Sequence, residues 1–193
     1  MKIIIGLGNP GQEFKNTCHN IGFLVLDSFL KENKYQIIQN SGKAHIYQIQ
    51  FNNCISFLVK PQMYMNLSGK VVKNILDKYQ IKIEDVLVIL DDICLPEGEI
   101  KLKPQGGHAG HNGLRNIIDS CNTNKFKRLK IGVGYDSKIT LNQYLLTPFN
   151  LEKQKQILQN IDNIQEIIIK FIQGIDFNSL MNYYNVKNKS KYL

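Results

Sequence analysis

The sequence predicts an α/β fold, a single-domain three-layer sandwich in which a twisted mixed β-sheet is surrounded by helices. Three features predict it. The apolar, β-branched runs KIIIGL at 2–7 and VLVIL at 86–90 lack the polar alternation of a half-solvated strand, so they read as strands buried on both faces. Segments with apolar residues at helical spacing lie between such runs. One strand pair, AHIYQIQF at 44–51 and CISFLVK at 54–60, is joined by Asn52 and Asn53 alone, a hairpin that adds antiparallel pairing to the crossover-linked strands.

Taken in order, the first strand ends at Gly8-Asn9-Pro10-Gly11, a tight loop. After His19-Asn20, the stretch IGFLVLDSFLKENK sets Ile21, Leu24 or Val25, and Phe29 at helical spacing, a helix packed on the sheet. In KPQMYMNLSG at 60–69 the second hairpin strand breaks at Lys60-Pro61 and the chain restarts as a helix over about 69–79. VLVIL and the short strand EIKLK at 99–103 follow. A loop rich in Gly and His at 106–113 opens a helix through Asn116 to Cys121, and RLKIGVG at 128–134 is another strand. The last third is helical, with Ile157, Leu158, Ile161, Ile164, Ile168 and Phe171 on one core-facing side. Residues 1–185 are expected to form the domain and 186–193 a basic tail with Lys187, Lys189 and Lys191.

At 193 residues and 43% hydrophobic content the chain can bury a full core. No apolar run approaches the roughly 18 residues of a membrane span, and MKIIIGLGNPG carries no small-residue cleavage site, so a cytoplasmic protein without a membrane partner is expected. Cys18, Cys54, Cys94 and Cys121 are scattered, with no CxxC pair and no zinc-type Cys/His spacing; all four read as free thiols. The formal net charge of +8 suggests a polyanionic partner, and Lys101, Lys103, Arg115, Lys125, Lys127, Arg128 and Lys130 crowd one span.

In open α/β sheets ligands lie beyond the carboxyl ends of the strands, and the unusual residues of this chain sit at such ends: Asn9, Met65-Asn66, Asp91-Asp92, and His108, His111 and Asn112. GLGNPG is a poor dinucleotide fingerprint, and GxxxxGK[ST] is absent. Gly6, Gly8 and Gly11 read as turn glycines. His19 opens a helix beside Cys18 and Asn20, and is open to two readings: a capping or core histidine, or a general base oriented by Asp91. With no GxSxG elbow, water activated by His and Asp is the simplest hydrolytic arrangement, with Asn9, Asn66 and Asn112 as positioning amides. His108 and His111 lie three apart but between glycines, which favours a loop over a metal site. The helix opening at Gly113-Leu114 could offer its N–H groups to a phosphate.

Several stretches together resemble the bacterial-type peptidyl-tRNA hydrolase family: GLGNPGQEFKNTCHNIGF at 6–23, KPQMYMNLSG, DDICLPEGEIKLK at 91–103, GGHAGHNGLRNII at 106–118 and RLKIGVG, with YLLTPF at 144–149. The resemblance implies a monomeric esterase, without metal or cofactor, that frees tRNA from peptidyl-tRNA dropped off the ribosome. It implies His19 as base, Asp91 as its orienting carboxylate, and Asn9 and Asn66 holding substrate and water. Asn112 would contact the substrate or tRNA end, and Phe14, Tyr64 and Met65 would line the peptide side with His111 nearby; Met63, read from its residue type alone, would fill a core gap. Lys103 and Lys130, supported by Arg128, would clamp phosphates of the acceptor end. Phe14 stands where the family generally has Tyr, Cys94 replaces a common Asp, and Lys130 stands where Arg is frequent. A non-enzymatic RNA-binding module and a nucleoside-handling hydrolase are the competing readings. The first leaves His19 and Asp91 without a purpose; the second predicts turnover of free nucleosides.

Overall fold

The computed structural model describes residues 1–189. Seven strands form one sheet in the order β2-β3-β4-β1-β5-β7-β6. They are β1 (Lys2–Gly6), β2 (Gln36–Asn40), β3 (Ala44–Phe51), β4 (Cys54–Pro61), β5 (Val86–Asp92), β6 (Ile100–Lys103) and β7 (Lys127–Gly132). β4, β1, β5 and β7 run parallel, and β2, β3 and β6 are antiparallel to their neighbours. The mixed sheet expected from the hairpin is therefore present. Asn52 and Asn53 both adopt positive φ, 47° and 64°, the left-handed pair that a two-residue hairpin turn of matching twist requires.

The central strands are apolar throughout because both faces are covered. Along β1, Ile4 enters one core with Leu87 and Ile89 of β5, while Ile3 and Ile5 enter the other with Val86 and Val88. The first core is closed by α1 (Ile21–Glu32), α5 (Leu151–Ile157), α6 (Ile161–Ile172) and α7 (Phe177–Lys189), the second by α2 (Ser68–Tyr79) and α3 (Asn112–Cys121). A short α4 (Leu141–Leu146) precedes α5. No helix among the described residues is long and apolar enough to cross a membrane.

Gly6 and Gly8 are packing glycines, not the turn glycines expected. A Cβ on Gly6 would lie 2.3 Å from the Gly22 carbonyl oxygen, and one on Gly8 would lie 2.7 Å from the Phe23 ring. Gly22 in turn would meet the Leu7 nitrogen at 2.3 Å, so glycine on both elements lets α1 cross close to β1 and carries His19 to the strand ends. Gly11 is the one of the three held at a positive φ, 116°. The expected C-terminal helical stretch is broken between α5 and α6 at Leu158–Asn160, which leaves Leu158 and Ile161 only half-buried. β2 escaped the sequence reading because it is an exposed edge strand whose Ile37 is 60% accessible and shows no buried alternation. At the opposite edge the Asn185 side chain both accepts from Leu102 N–H and donates to Leu102 C=O, closing one rung of β6 as a strand would. α7 continues to Lys189, so residues 186–189 of the expected tail are helical, and Lys191 lies outside the described residues.

Candidate active site

The carboxyl ends of β1, β4, β5 and β7 open at the same end of the sheet, and the chain builds β4 on one flank of β1 before crossing to β5 on the other. Such a switch point leaves a crevice. Asn9 follows β1 and is held there by Asn20. The Asn9 N–H donates to Asn20 Oδ1 at 2.8 Å, and Asn20 Nδ2 donates to the Asn9 carbonyl at 2.9 Å. The loop after β4 is fastened to it, since Met65 N–H donates to Asn9 Oδ1 at 2.7 Å. With its oxygen so used, Asn9 keeps Nδ2 without an acceptor among the described residues.

His19 lies in a 3-10 turn, Cys18–Asn20, that leads into α1. That turn is braced from outside by a bridge between Thr17 and Pro148 and by Phe149 N–H donating to the Asn16 carbonyl at 2.8 Å. The residue is 7% exposed, and Nδ1 lies 3.0 and 3.1 Å from the two oxygens of Asp91 at the end of β5. A carboxylate there makes Nδ1 the protonated nitrogen and leaves Nε2 with a free lone pair. Burial alone would push the imidazole down, but the charge and hydrogen bond of Asp91 outweigh it and hold His19 above its ordinary value. Burial would likewise raise Asp91; His19 and His111 together override it and keep the carboxyl well below the usual carboxylate range.

His111 is the third member of this group. Its Nε2 is 3.1 Å from Asp91 Oδ1, and its Nδ1 accepts from Gly113 N–H at 3.1 Å and Leu114 N–H at 3.3 Å. His19, Asp91 and His111 place their ligand-type atoms within 4.8 Å of one another, yet the bonding argues against an ion. A His111 Nδ1 that accepts carries no proton, so Nε2 bears it and has no lone pair for a metal. The same bonds correct the expectation that the first turn of α3 offers its amides to a phosphate: the N–H groups of Gly113 and Leu114 are already taken.

A cavity of about 260 Å³ opens beside the pair, walled by Leu90, Ile93, Leu141 and Leu145 and edged by Asn112, Asn142 and Lys130. A second, of about 300 Å³, is lined by Asn9, Asn20, Phe23 and Lys60 among others. Asn66 and Asn112 are exposed. Tyr64 is 58% exposed and meets Phe14 edge-to-face, with ring centroids 6.5 Å apart.

Three of the expected site residues are placed differently from their sequence reading. Met65 is 4% exposed within the core under α2 and α3, whereas Met63, expected to be the gap-filler, is only half-buried; the Met65 sulfur packs where a Gly113 side chain would stand. Arg128 has no face free for a phosphate. It is 1% exposed, lies 4.6 Å over the Phe126 ring, and donates to the carbonyls of Gly106 and, at 2.7 Å, Gly107. Burial lowers it to about 10, still a cation at neutral pH. Lys130 is not a free clamp either: its ammonium is 2.5 Å from Asp92 Oδ2, and both side chains are about nine-tenths buried. Lys103 is exposed and without an acidic partner among the described residues, as is Lys101, which the sequence reading counted only as part of the charged span.

Sequence reasoning also missed Asn20, Asn142, Leu141 and Leu145. A buried amide heading an apolar helix directly after His19 was a usable signal for Asn20. α4 carried none, since its six residues show no period that separates helix from loop.

The model of the family described as peptidyl-tRNA hydrolase matches residues 3–192. The peptidyl-tRNA hydrolase of Phytoplasma australiense is 81% identical over 185 residues, 96% of this chain and 98% of that protein. That of Oceanobacillus iheyensis is 40% identical over 187 residues, 96% of this chain and 100% of that protein. Among solved structures, peptidyl-tRNA hydrolase from Acinetobacter baumannii matches with a TM-score of 0.87 and 31% identity, covering 94% of this chain and 93% of that one. The resemblance carried by GLGNPG, KPQMYMNLSG and GGHAGHNG thus extends over the whole described fold, and the chain belongs to the peptidyl-tRNA hydrolase family.

Proposed function

We propose that this enzyme hydrolyses the ester between the peptide, or an N-blocked aminoacyl group, and the 3′-terminal ribose of tRNA, with His19 activating water. The observation that carries the mechanism is the His19–Asp91 pair: a buried imidazole whose Nδ1–H is held at 3.0 Å leaves Nε2 as a base. Nε2 takes a proton from water as the oxygen attacks the ester carbonyl, and returns it to the departing ribose oxygen. Asp91 keeps the tautomer and stabilises the imidazolium, as in other carboxylate–histidine pairs. The free Nδ2 of Asn9 and the amides of Asn66 and Asn112 donate to the substrate carbonyl and the developing oxyanion. Phe14 and Tyr64, paired edge-to-face, offer an apolar rim to the peptide.

Lys103 is the phosphate contact, joined by Lys101 on the same exposed edge strand. Lys130 serves the site from within, as the cation that neutralises Asp92. The Nε2–H tautomer of His111 supports catalysis without a metal. The protein acts in the cytoplasm as a monomer. The test is release of N-acetylaminoacyl groups from tRNA by purified protein with chelator present and His19→Ala beside it. Release by wild type alone supports the reading; binding of the tRNA without release favours the RNA-binding module, and turnover of free nucleosides the third.

A further inference from the structure

Both ring nitrogens of His111 are used inside the protein, which leaves this residue a poor contact for substrate and gives it another task. We propose that His111 is a positioning residue of the catalytic pair, tying Asp91 to the first turn of α3 through the two nitrogens of one neutral imidazole. Nδ1 accepts from Gly113 and Leu114, so the ring serves as the N-cap of α3, a position more often held by Ser, Thr, Asn or Asp. The accepting nitrogen sets the tautomer, and the tautomer aims Nε2–H at Asp91 Oδ1.

Two consequences follow for chemistry. Asp91 receives donors from two elements, the turn before α1 and the loop before α3, so its carboxylate is fixed in rotation. Because His111 and His19 share that charge, each hydrogen bond to it is weaker than it would be alone. The His111 N–H therefore moderates the hold of Asp91 on the His19 proton and keeps Nε2 available as a base. It also delivers Asn112, the next residue, in fixed relation to the pair.

The other titratable groups around the pair do not duplicate this. Cys18, beside His19, is pushed up to about 11, chiefly by burial, and is a neutral thiol. Asp92 and Lys130 neutralise each other, as do Glu97 and Lys153. His108 turns Nδ1 to Gly110 N–H at 3.1 Å, and Cys94 is exposed on the cavity wall.

The test is His111→Asn, whose side chain can cap α3 but is too short to reach Asp91. Ring resonances of His19 are titrated by NMR in wild type and variant without substrate, and kcat and KM are measured on N-acetylaminoacyl-tRNA. The expected result is a His19 midpoint raised by about one pH unit, the scale of one charge-assisted hydrogen bond. With it come a kcat near pH 6.5 lowered about tenfold and a KM within twofold. An unchanged or lowered midpoint overturns the proposal, as does a raised KM at intact kcat, which would return His111 to the substrate. If His111→Asn behaves as wild type while His111→Ala does not, the ring is a cap alone and the proposal fails. Should neither variant fold, the nitrogen shifts of His111 in wild type decide: a proton on Nδ1 overturns it. The kinetic arm rests on the proposed hydrolase reading, but the ring titration does not, so the two can fail separately.

Discussion

Two charged regions lie on neighbouring strands and are handled differently. At the end of β5 each charge is answered from another element: Asp91 by His19 and His111, Asp92 by Lys130 of β7. On the β6–β7 rungs the antiparallel register sets Lys103 opposite Arg128 and Lys101 opposite Lys130, like charges side by side, an arrangement that costs some tenths of a kcal/mol per pair. Relief is one-sided. The inner-strand cations are satisfied within the protein, Arg128 by loop carbonyls and Lys130 by Asp92, while those of the edge strand project into solvent. Position in the sheet, more than residue type, decides which cation is structural and which is free for a polyanion.

The largest effect is expected where charge is answered most completely. His19→Ala removes the proposed base and should lower kcat by about 10²- to 10⁴-fold, with tRNA affinity within about twofold. Single-turnover release against filter-binding affinity measures both, and substantial residual release would remove His19 from the mechanism.

Asp91→Asn comes next, with a loss of about 10²-fold or more because an amide no longer selects the Nδ1–H tautomer. Its pH signature is sharper. His19 is raised by Asp91, so the acid limb of kcat/KM should lie above the ordinary histidine value of about 6.5 in wild type and move down in the variant. Stability runs the other way. The raised His19 contributes stability that is full below about pH 6.5 and lost as pH climbs through its folded value. The depressed Asp91 contributes above about pH 3.9, and that contribution is lost on acidification through its folded value. Urea midpoints should therefore fall from pH 5 to pH 8 in wild type and flatten in Asp91→Asn. The pair is thus most stable with His19 protonated, whereas the proposed base is its deprotonated form.

Much of this was legible in the sequence. KIIIGL and VLVIL announced strands covered on both faces, Asn52-Asn53 a hairpin, and strand-end polar residues the side on which His19 and Asp91 meet. What was hidden is of one kind: the outcome depends on a partner distant in sequence. Period-2 alternation puts Arg128 and Lys130 on one face of β7, but nothing in RLKIGVG says that the Gly106–Gly107 carbonyls cover the first. Met63 and Met65 look alike until Asn9 Oδ1 takes the Met65 amide and turns that side chain into the core. Gly6 looks like a turn residue until α1 arrives against it.

The two cations of one rung offer the closest control. Arg128→Met strips the carbonyls of Gly106 and Gly107 of their donor and should cost about 1–3 kcal/mol of stability, a lowered thermal midpoint, without changing how tRNA affinity responds to salt. Lys103→Ala gives the smallest effect and the most specific one. A lysine with no ion pair has little to contribute to folding, so the thermal midpoint should stay within about one degree. If it meets a phosphate, it releases a counterion on binding, and its loss should cut the slope of log affinity against log salt by about one while weakening binding a few-fold at low salt. A normal slope in Lys103→Ala together with a reduced slope in Arg128→Met would reverse the assignment, because it would mean the Gly106–Gly107 loop opens on RNA binding and the edge strand stays off the nucleic-acid path.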